Sequence, residues 1–508
     1  MNGGLTGERD QRTCNAVSAA IIAAGVVYAA LVVVVLPLGW LLAIPSDDAF
    51  YYFKIARNIV SGQGCTFDGI ASTNGFHPLW MLCILPVFSA LTTGVELPAR
   101  VVLAGNGLLA AVTMVMLFRL VRRWVGGGTE WIALAFCALP PVSGALLNGL
   151  ETGLLLWAGT LLLWLCYRFE LHAVGASPGR TFLFGVLLGF ITLCRLDSAF
   201  LLVAAGLVTL LLTLVGAVTI RRCVVRGLLL GLGFAVLFGP FCIWNIATFG
   251  HVMPISGGMK SSFPALRDTL SLTGDRLFGA LLLAVVWGVV LAGTRPGSVR
   301  RWLESPLVLL AVACTLHFVH AFLFLTWGVY WWHFSLYGLT AAVGLAQAVQ
   351  RWTLDRGRIE PAAVGIIIVG LVVPGVGLKV FELRSKAEQH AAWLEGARWA
   401  RAETTPDTVF AIKDAGLFSY FSQRVTVNLD GKANGYAFRD ALYADDVGGY
   451  LRGADVEYIA HVATRYADGV CRIPIPRVNR RPAILMMRQD DEVFRSRAFA
   501  IHRHRFRK

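Results

Sequence analysis

Acidic side chains are scarce beside the apolar stretches of this chain, and those that do occur there are the residues best placed for chemistry. Asp47 and Asp48 directly follow the first apolar run, in PSDDAFYYFK. Glu151 opens another run in LNGLETGLL, and Asp197 stands two residues from Arg195 in LCRLDSAFL. A carboxylate next to an apolar medium is costly and marks function more often than packing. Such groups exchange protons or hold cations. Adjacent carboxylates repel, so a pair like Asp47-Asp48 needs an external reason. The alternative for each acid is structural: it caps a helix or pairs with a neighbouring arginine, as Asp197 can with Arg195.

The elements that must position these residues are membrane helices. Of 508 residues, 56% are hydrophobic and 15% charged, more apolar surface than a wetted globule of this length hides. Apolar runs long enough to cross a bilayer as helices recur at 16–44, 98–120, 129–147, 151–167, 181–194, 198–218, 227–247, 277–293, 306–326, 334–350 and 361–380. The first has no small-residue cleavage pattern after it and reads as an uncleaved span. Arginines cluster between spans, at 119/122/123, 168/180, 221/222/226, 295/300/301 and 351/356/358. If those loops are cytoplasmic, the N-terminus is inside and the loop 45–77 outside. An odd number of crossings then separates Asp48 from Arg122, so the short apolar segment 78–93, opening at Pro78, is expected to be re-entrant or juxtamembrane. The same parity puts all four acids, together with the loop 248–276, at the outer face.

The net charge of +14 suits cytoplasmic loops, an anionic ligand or lipid headgroups, and nothing resembles a nucleic-acid module. Most of the ten cysteines sit in apolar runs as small packing residues, without metal-type spacing. Cys65 and Cys471 are both expected outside, where a disulfide between them is open. Phe50, Phe53, Ile55 and Ile59 recur at helical spacing after the acidic pair, which predicts an amphipathic helix on the membrane surface. Beyond about residue 381 the chain turns polar, and VFAI (409–412), VTVN (425–428), EYIA (457–460) and AILMM (483–487) read as strands. The expected organisation is a membrane domain, 1–380, and a small outer α/β domain, 381–508. The terminal HRHRFRK reads as a solvated or headgroup-binding tail.

Several stretches, in order, resemble the GT-C superfamily of polyprenyl-phosphate-sugar-dependent glycosyltransferases, with a closer likeness to bacterial arabinofuranosyltransferases and protein-mannosyltransferase-like members. DDAFYYFKIARNIVSGQG (47–64) is similar to an acidic-pair loop and TNGFHPLW (73–80) to a re-entry segment. NGLETGL (148–154) resembles a Gly-x-Glu-Thr element, and CRLD (194–197) a Thr-Arg-Pro-Asp element with Cys194 and Leu196 as departures. WNIATFGHVMPISGGMK (244–260) resembles an outer loop, and DAGLFSYFSQRVTVNLDG (414–431) the opening of the outer domain. In WGVYWWHF, His333 stands where the family often has arginine.

The resemblance implies about eleven spans and a re-entrant helix in a bacterial cytoplasmic membrane, with the active site facing outside. It implies inverting transfer of a sugar from a polyprenyl-phosphate donor to a hydroxyl of a glycan, lipid or protein. Asp47 would be the general base, with Asp48 the next candidate, and the pair leaves open a divalent cation such as Ca, Mg or Mn. Lys260 and Arg195 would hold the leaving phosphate, with His77, His251 and His333 as further candidates. Glu151 and Asp197 would orient the acceptor or fix Arg195. Tyr51, Tyr52, Trp331 and Trp332 stack on sugar or form an interfacial belt. A secondary transporter is the rival class, although no internal repeat is evident; a non-catalytic lipid-binding assembly subunit is a third.

Overall fold

The computed structural model describes residues 2–294, 297–356, 361–462, 468, 470–478, 480–496 and 499–504. Arg295, Arg358 and residues 505–508 of the basic terminus lie outside them. Each of the eleven expected spans falls on a helix or a helix pair. Among the described residues eight helices are long and apolar enough to cross a membrane: Gln11–Val35, Glu96–Trp124, Thr152–Phe169, Leu196–Leu214, Ile220–Phe249, Gly274–Gly293, Pro306–Phe324 and Val364–Glu403. The pair Glu130–Phe136 and Pro140–Leu147, bent by 72°, counts as a ninth if it forms one span. Proline cannot donate to the preceding turn, so Pro140-Pro141 starts a new helix instead of continuing the old one. Helix Pro178–Cys194 has 17 residues, about 26 Å of rise and just short of a hydrocarbon core. Ser335–Arg356 carries more polar side chains. The chain is thus a multi-pass membrane protein. Segment 78–93 forms the 13-residue helix Pro78–Ala90, about 20 Å long and too short to cross upright.

Helices Pro178–Cys194 and Ile220–Phe249 meet backbone to backbone. A Cβ on Gly233 would stand 2.2 Å from the Phe182 carbonyl oxygen, so only glycine permits the approach, as is common between membrane helices. At the end of the bundle remote from Asp48, arginines clasp the loops. Arg122 pairs with Glu130 at 2.8 Å, Arg226 bonds the carbonyls of His172 and Ala173, and Arg351 those of Ala292 and Thr294.

A single 43-residue helix, Pro361–Glu403, carries the chain through residue 381 to a small C-terminal sheet domain, the one that the sequence reading expects to be the outer domain. Its sheet contains β1 (Val409–Ile412), β2 (Val425–Asn428), β3 (Val456–Val462), β6 (Glu492–Ser496) and β7 (Phe499–Arg503); β4 (Val470–Arg477) and β5 (Arg480–Arg488) form a separate hairpin. The five-stranded order is β2-β1-β3-β7-β6, parallel across β2-β1-β3 and antiparallel beyond. All four expected strands are present, whereas β4, β6 and β7 were not legible. Cys65 and Cys471 do not bond to each other; Cys65 faces the Thr73 carbonyl at 3.3 Å and Cys471 is buried in β4 beside His461.

Asp47–Val60 is the expected helix, but its apolar face meets protein rather than lipid. Phe50, Phe53 and Ile55 are fully buried, and Phe50 and Phe53 pack with Phe88, Tyr420 and Phe421. The outer-domain helix Gly416–Ser422 therefore covers the surface that periodicity alone assigned to the membrane. Docking is close: a Cβ on Gly416 would lie 2.2 Å from the Asp47 carbonyl oxygen. Gly416→Val is expected to lower the stability of the joined domains by about 1–3 kcal/mol. Faster protease cleavage of the outer domain and a lower melting temperature in detergent would show it; unchanged cleavage would contradict the packing.

Candidate active site

The two carboxylates of the acidic pair have different surroundings, because successive residues of a helix point about 100° apart. The Asp47 carboxylate turns to the outer domain and accepts from the backbone N–H of Gly416 (3.1 Å) and Leu417 (2.7 Å), the first turn of helix Gly416–Ser422. Burial, reinforced by Asp414, pushes its pKa up to about 8. Asp48 opens onto a cavity of about 560 Å³ where the membrane and outer domains meet. Burial would raise its pKa, but Lys432, then Lys260 and Arg195, outweigh burial and hold it below the usual carboxylate range.

Glu151 is set by the Asn148-Gly149 turn. Asn148 Oδ1 accepts from Leu150 N–H, and Gly149 adopts φ 78°, a conformation that glycine takes without strain. Its Cβ would also crowd Ala49 of helix Asp47–Val60 at 3.0 Å. Glu151 accepts from Arg195 Nη1 at 2.6 Å and from the Tyr52 hydroxyl at 2.9 Å. Arg195, extended at the end of helix Pro178–Cys194, also holds Asp197 through Nε at 2.9 Å. Asp197 meets His317 at 3.6 Å, which in turn contacts the Tyr337 hydroxyl at 2.9 Å. His77 accepts the Leu196 N–H at Nδ1 (3.2 Å) and so presents Nε2–H to Glu151 at 3.4 Å. Burial, and after it Arg195, hold His77 below its usual pKa, which keeps the ring neutral. Buried Glu151 and Arg195 and half-buried Asp197 thus form one chain of charge-assisted bonds.

The cavity is lined by Asp48, Tyr51, Tyr52, His77, Glu151 and Arg195 from the first half of the chain. Lys260, Trp332 and His333 line it from later loops, and Lys432 from the outer domain. Burial, then Lys432, lowers the Lys260 pKa to about 8. Burial, then Arg195 and Lys260, also holds His333 well below its usual value, so it faces the cavity as a neutral ring, donating from Nδ1 to the Tyr330 carbonyl.

Of the residues singled out in sequence, Asp48, Tyr51, His77, Glu151, Arg195, Lys260 and His333 line this cavity, and Asp197 is bonded to it through Arg195. Asp47 faces the outer domain instead. His251 is not in the lining; it stacks on Tyr436 at 4.4 Å. The Tyr51 hydroxyl is committed to the outer domain, accepting from Ala415 N–H (2.7 Å) and Asn428 Nδ2 (2.9 Å). Sequence reading missed Lys432, Asp414 and Asp430. For Asp430 and Lys432 the signal was a polar turn, LDGKANG, straight after strand β2; Asp414 stands in the turn KDAG after strand β1.

These residues do not fit a divalent cation. Both Asp47 oxygens accept backbone N–H groups, and Asp48 faces the Lys432 ammonium at 3.6 Å. Among the described residues no group of three or more His, Cys, Asp or Glu is disposed to hold a metal.

No curated protein sequence matches the chain. The model of a domain of unknown function, DUF8728, matches residues 382–500. Among solved structures, ArnT from Cupriavidus metallidurans bound to undecaprenyl phosphate is similar at 14% identity, with 91% of this chain and 97% of that chain covered and a TM-score of 0.54. An Archaeoglobus fulgidus oligosaccharyltransferase tethered to an acceptor peptide is similar at 12% identity, over 88% of this chain and 69% of that chain, with a TM-score of 0.48. The ArnT likeness spans both domains, and the fold is GT-C.

Proposed function

We propose that the chain is a membrane glycosyltransferase that moves a sugar from a polyprenyl-phosphate donor to an acceptor hydroxyl, at the outer face of a bacterial cytoplasmic membrane. The observation that carries this reading is one cavity, in a GT-C fold, where a carboxylate held ionised (Asp48) shares walls with Lys260 and Arg195. Asp48 takes the acceptor proton as the hydroxyl oxygen bonds to the anomeric carbon. The bond from that carbon to the phosphate oxygen breaks, and the phosphate leaves with the electron pair toward Lys260 and Arg195. Displacement from the opposite face inverts the anomeric centre. Glu151 fixes Arg195, and Trp332 offers a ring face to sugar.

Purified protein given radiolabelled polyprenyl-phosphate sugars tests this. Sugar leaving the carrier supports it; no transfer from arabinosyl, mannosyl or glucosyl donors, with binding alone, would favour the assembly-subunit reading. Asp48 and Glu151 line one cavity against the C-terminal domain, with Asp47 and Asp197 beside it, a clustering at one end of the bundle that speaks against a secondary transporter. Lys260 gives a pH test. It is charged below about 8 and loses its charge above, so donor kcat/KM should fall as pH rises through that value. Lys260→Met should lower kcat/KM and flatten this alkaline limb; a limb that persists would assign it elsewhere.

A further inference from the structure

Lys432 belongs to the outer domain, yet its ammonium lies among charges of the membrane site. It is 3.6 Å from Asp48, 3.5 Å from Asp430 and 4.0 Å from Asp414. It also stands 5.7 Å from the Tyr51 ring centre and 5.2 Å from that of Trp327. Three carboxylates face this one ammonium at 3.5–4.0 Å, a wider spacing than the roughly 2.0–2.6 Å of a hard cation's oxygen ligands, so the positive charge at this point is the lysine's. Its backbone is pinned as well. Lys432 N–H donates to Asn428 Oδ1 at 3.1 Å, and a Cβ on Gly75 of the outer loop would sit 2.2 Å from the Lys432 carbonyl oxygen. Asp430 is fully buried and is held by Asp414 N–H at 3.0 Å. The side chain therefore has a fixed seat at the cavity wall rather than a solvated one.

We infer that Lys432 is a positioning residue for Asp48, an ammonium that itself supplies the positive charge beside this carboxylate, so that sugar transfer is independent of metal and dependent on the docked C-terminal domain. This rests on the proposed glycosyl transfer. The charged groups around Asp48 are Lys432, Lys260, Arg195, Asp47 and Asp414; around Lys432 they are Asp48, Asp430, Asp414, Asp47 and Lys260, with Tyr51 and Tyr330 beside them. Removing the Lys432 charge takes away the largest single cationic influence on Asp48, so the carboxylate then ionises at higher pH.

Lys432→Met is expected to reduce kcat at neutral pH at least about tenfold and to move the acidic limb of the rate profile up by about one unit or more. Lys432→Arg keeps the charge and should return the limb most of the way, which a merely structural role would not do. Wild-type transfer should survive EDTA, and Mn²⁺ followed by electron paramagnetic resonance should show no bound ion that Asp48→Asn removes. If the wild type transfers sugar but Lys432→Met keeps its rate and pH profile, the inference fails. It fails also if EDTA abolishes transfer and Mn²⁺ restores it, or if Asp48→Asn removes a bound Mn²⁺. A wild type that transfers no sugar sinks the glycosyltransferase reading instead, and the Mn²⁺ measurement then still decides the cation question, since it requires no turnover.

Discussion

Asp48→Asn should lower transfer by about 10²–10⁴-fold, the range expected when a general base is removed, while protein level and melting temperature stay close to wild type. The amide is nearly isosteric with the carboxylate but takes no proton. It also leaves Lys432 with Asp430 and Asp414 as partners, so the fold keeps its charge balance. Asp47→Asn is the informative contrast. Asp47 accepts two backbone N–H groups and is pushed up to about 8, so at neutral pH it carries little charge and an amide mimics it well. Most activity should remain, with a loss of about 1 kcal/mol in stability from the weakened helix cap. Equal inactivation by both substitutions, in folded protein, would contradict the division of labour between the two residues.

Arg195→Ala should have the other large effect, on stability as well as on rate. Arg195 is buried and bonds both Glu151 and Asp197. Its removal strands a carboxylate, Glu151, that is itself buried, and breaking such a pair costs about 3–5 kcal/mol. Loss of folded protein in detergent, or a melting temperature far below wild type, would register this. Adding Glu151→Gln in the same chain removes the stranded charge and should recover part of the stability, though none of the activity. If the double variant is no more stable than Arg195→Ala alone, Glu151 and Arg195 are not energetically coupled as their 2.6 Å contact implies.

Much of the fold was legible because it follows from local patterns. Apolar runs of bilayer length became helices, short β-branched runs in the polar tail became strands, and arginines marked the loops remote from the site. Glu151, Arg195 and Asp197 were readable for the same reason: a charge beside an apolar run is conspicuous against its background. Lys432 had no such contrast. It sits in a polar turn where a lysine is ordinary, and only its 3.6 Å approach to Asp48, 384 positions earlier in the chain, makes it part of the site. The amphipathic helix Asp47–Val60 was read correctly as a helix but assigned to the membrane surface. Periodicity shows that a helix has an apolar face, not whether lipid or another helix covers it.

The acidic pair shows where sequence ends and tertiary structure begins. By itself the sequence determined that two adjacent carboxylates stand where the first span ends, at the same face of the bundle as Glu151, Arg195 and Lys260. That much follows from chain length, hydropathy and the placement of arginines. Only the family resemblance ranked the pair, with Asp47 first as base and Asp48 second, because neighbouring residues share a composition and a register; the base proposed above is Asp48 instead. Docking of the C-terminal domain gives the two carboxylates different surroundings. The N–H groups of Gly416 and Leu417 engage Asp47, and the Lys432 ammonium reaches Asp48 at the cavity wall. The physical reason is the 100° turn between successive helical residues, which sends one carboxylate into a helix cap and the other into the cavity.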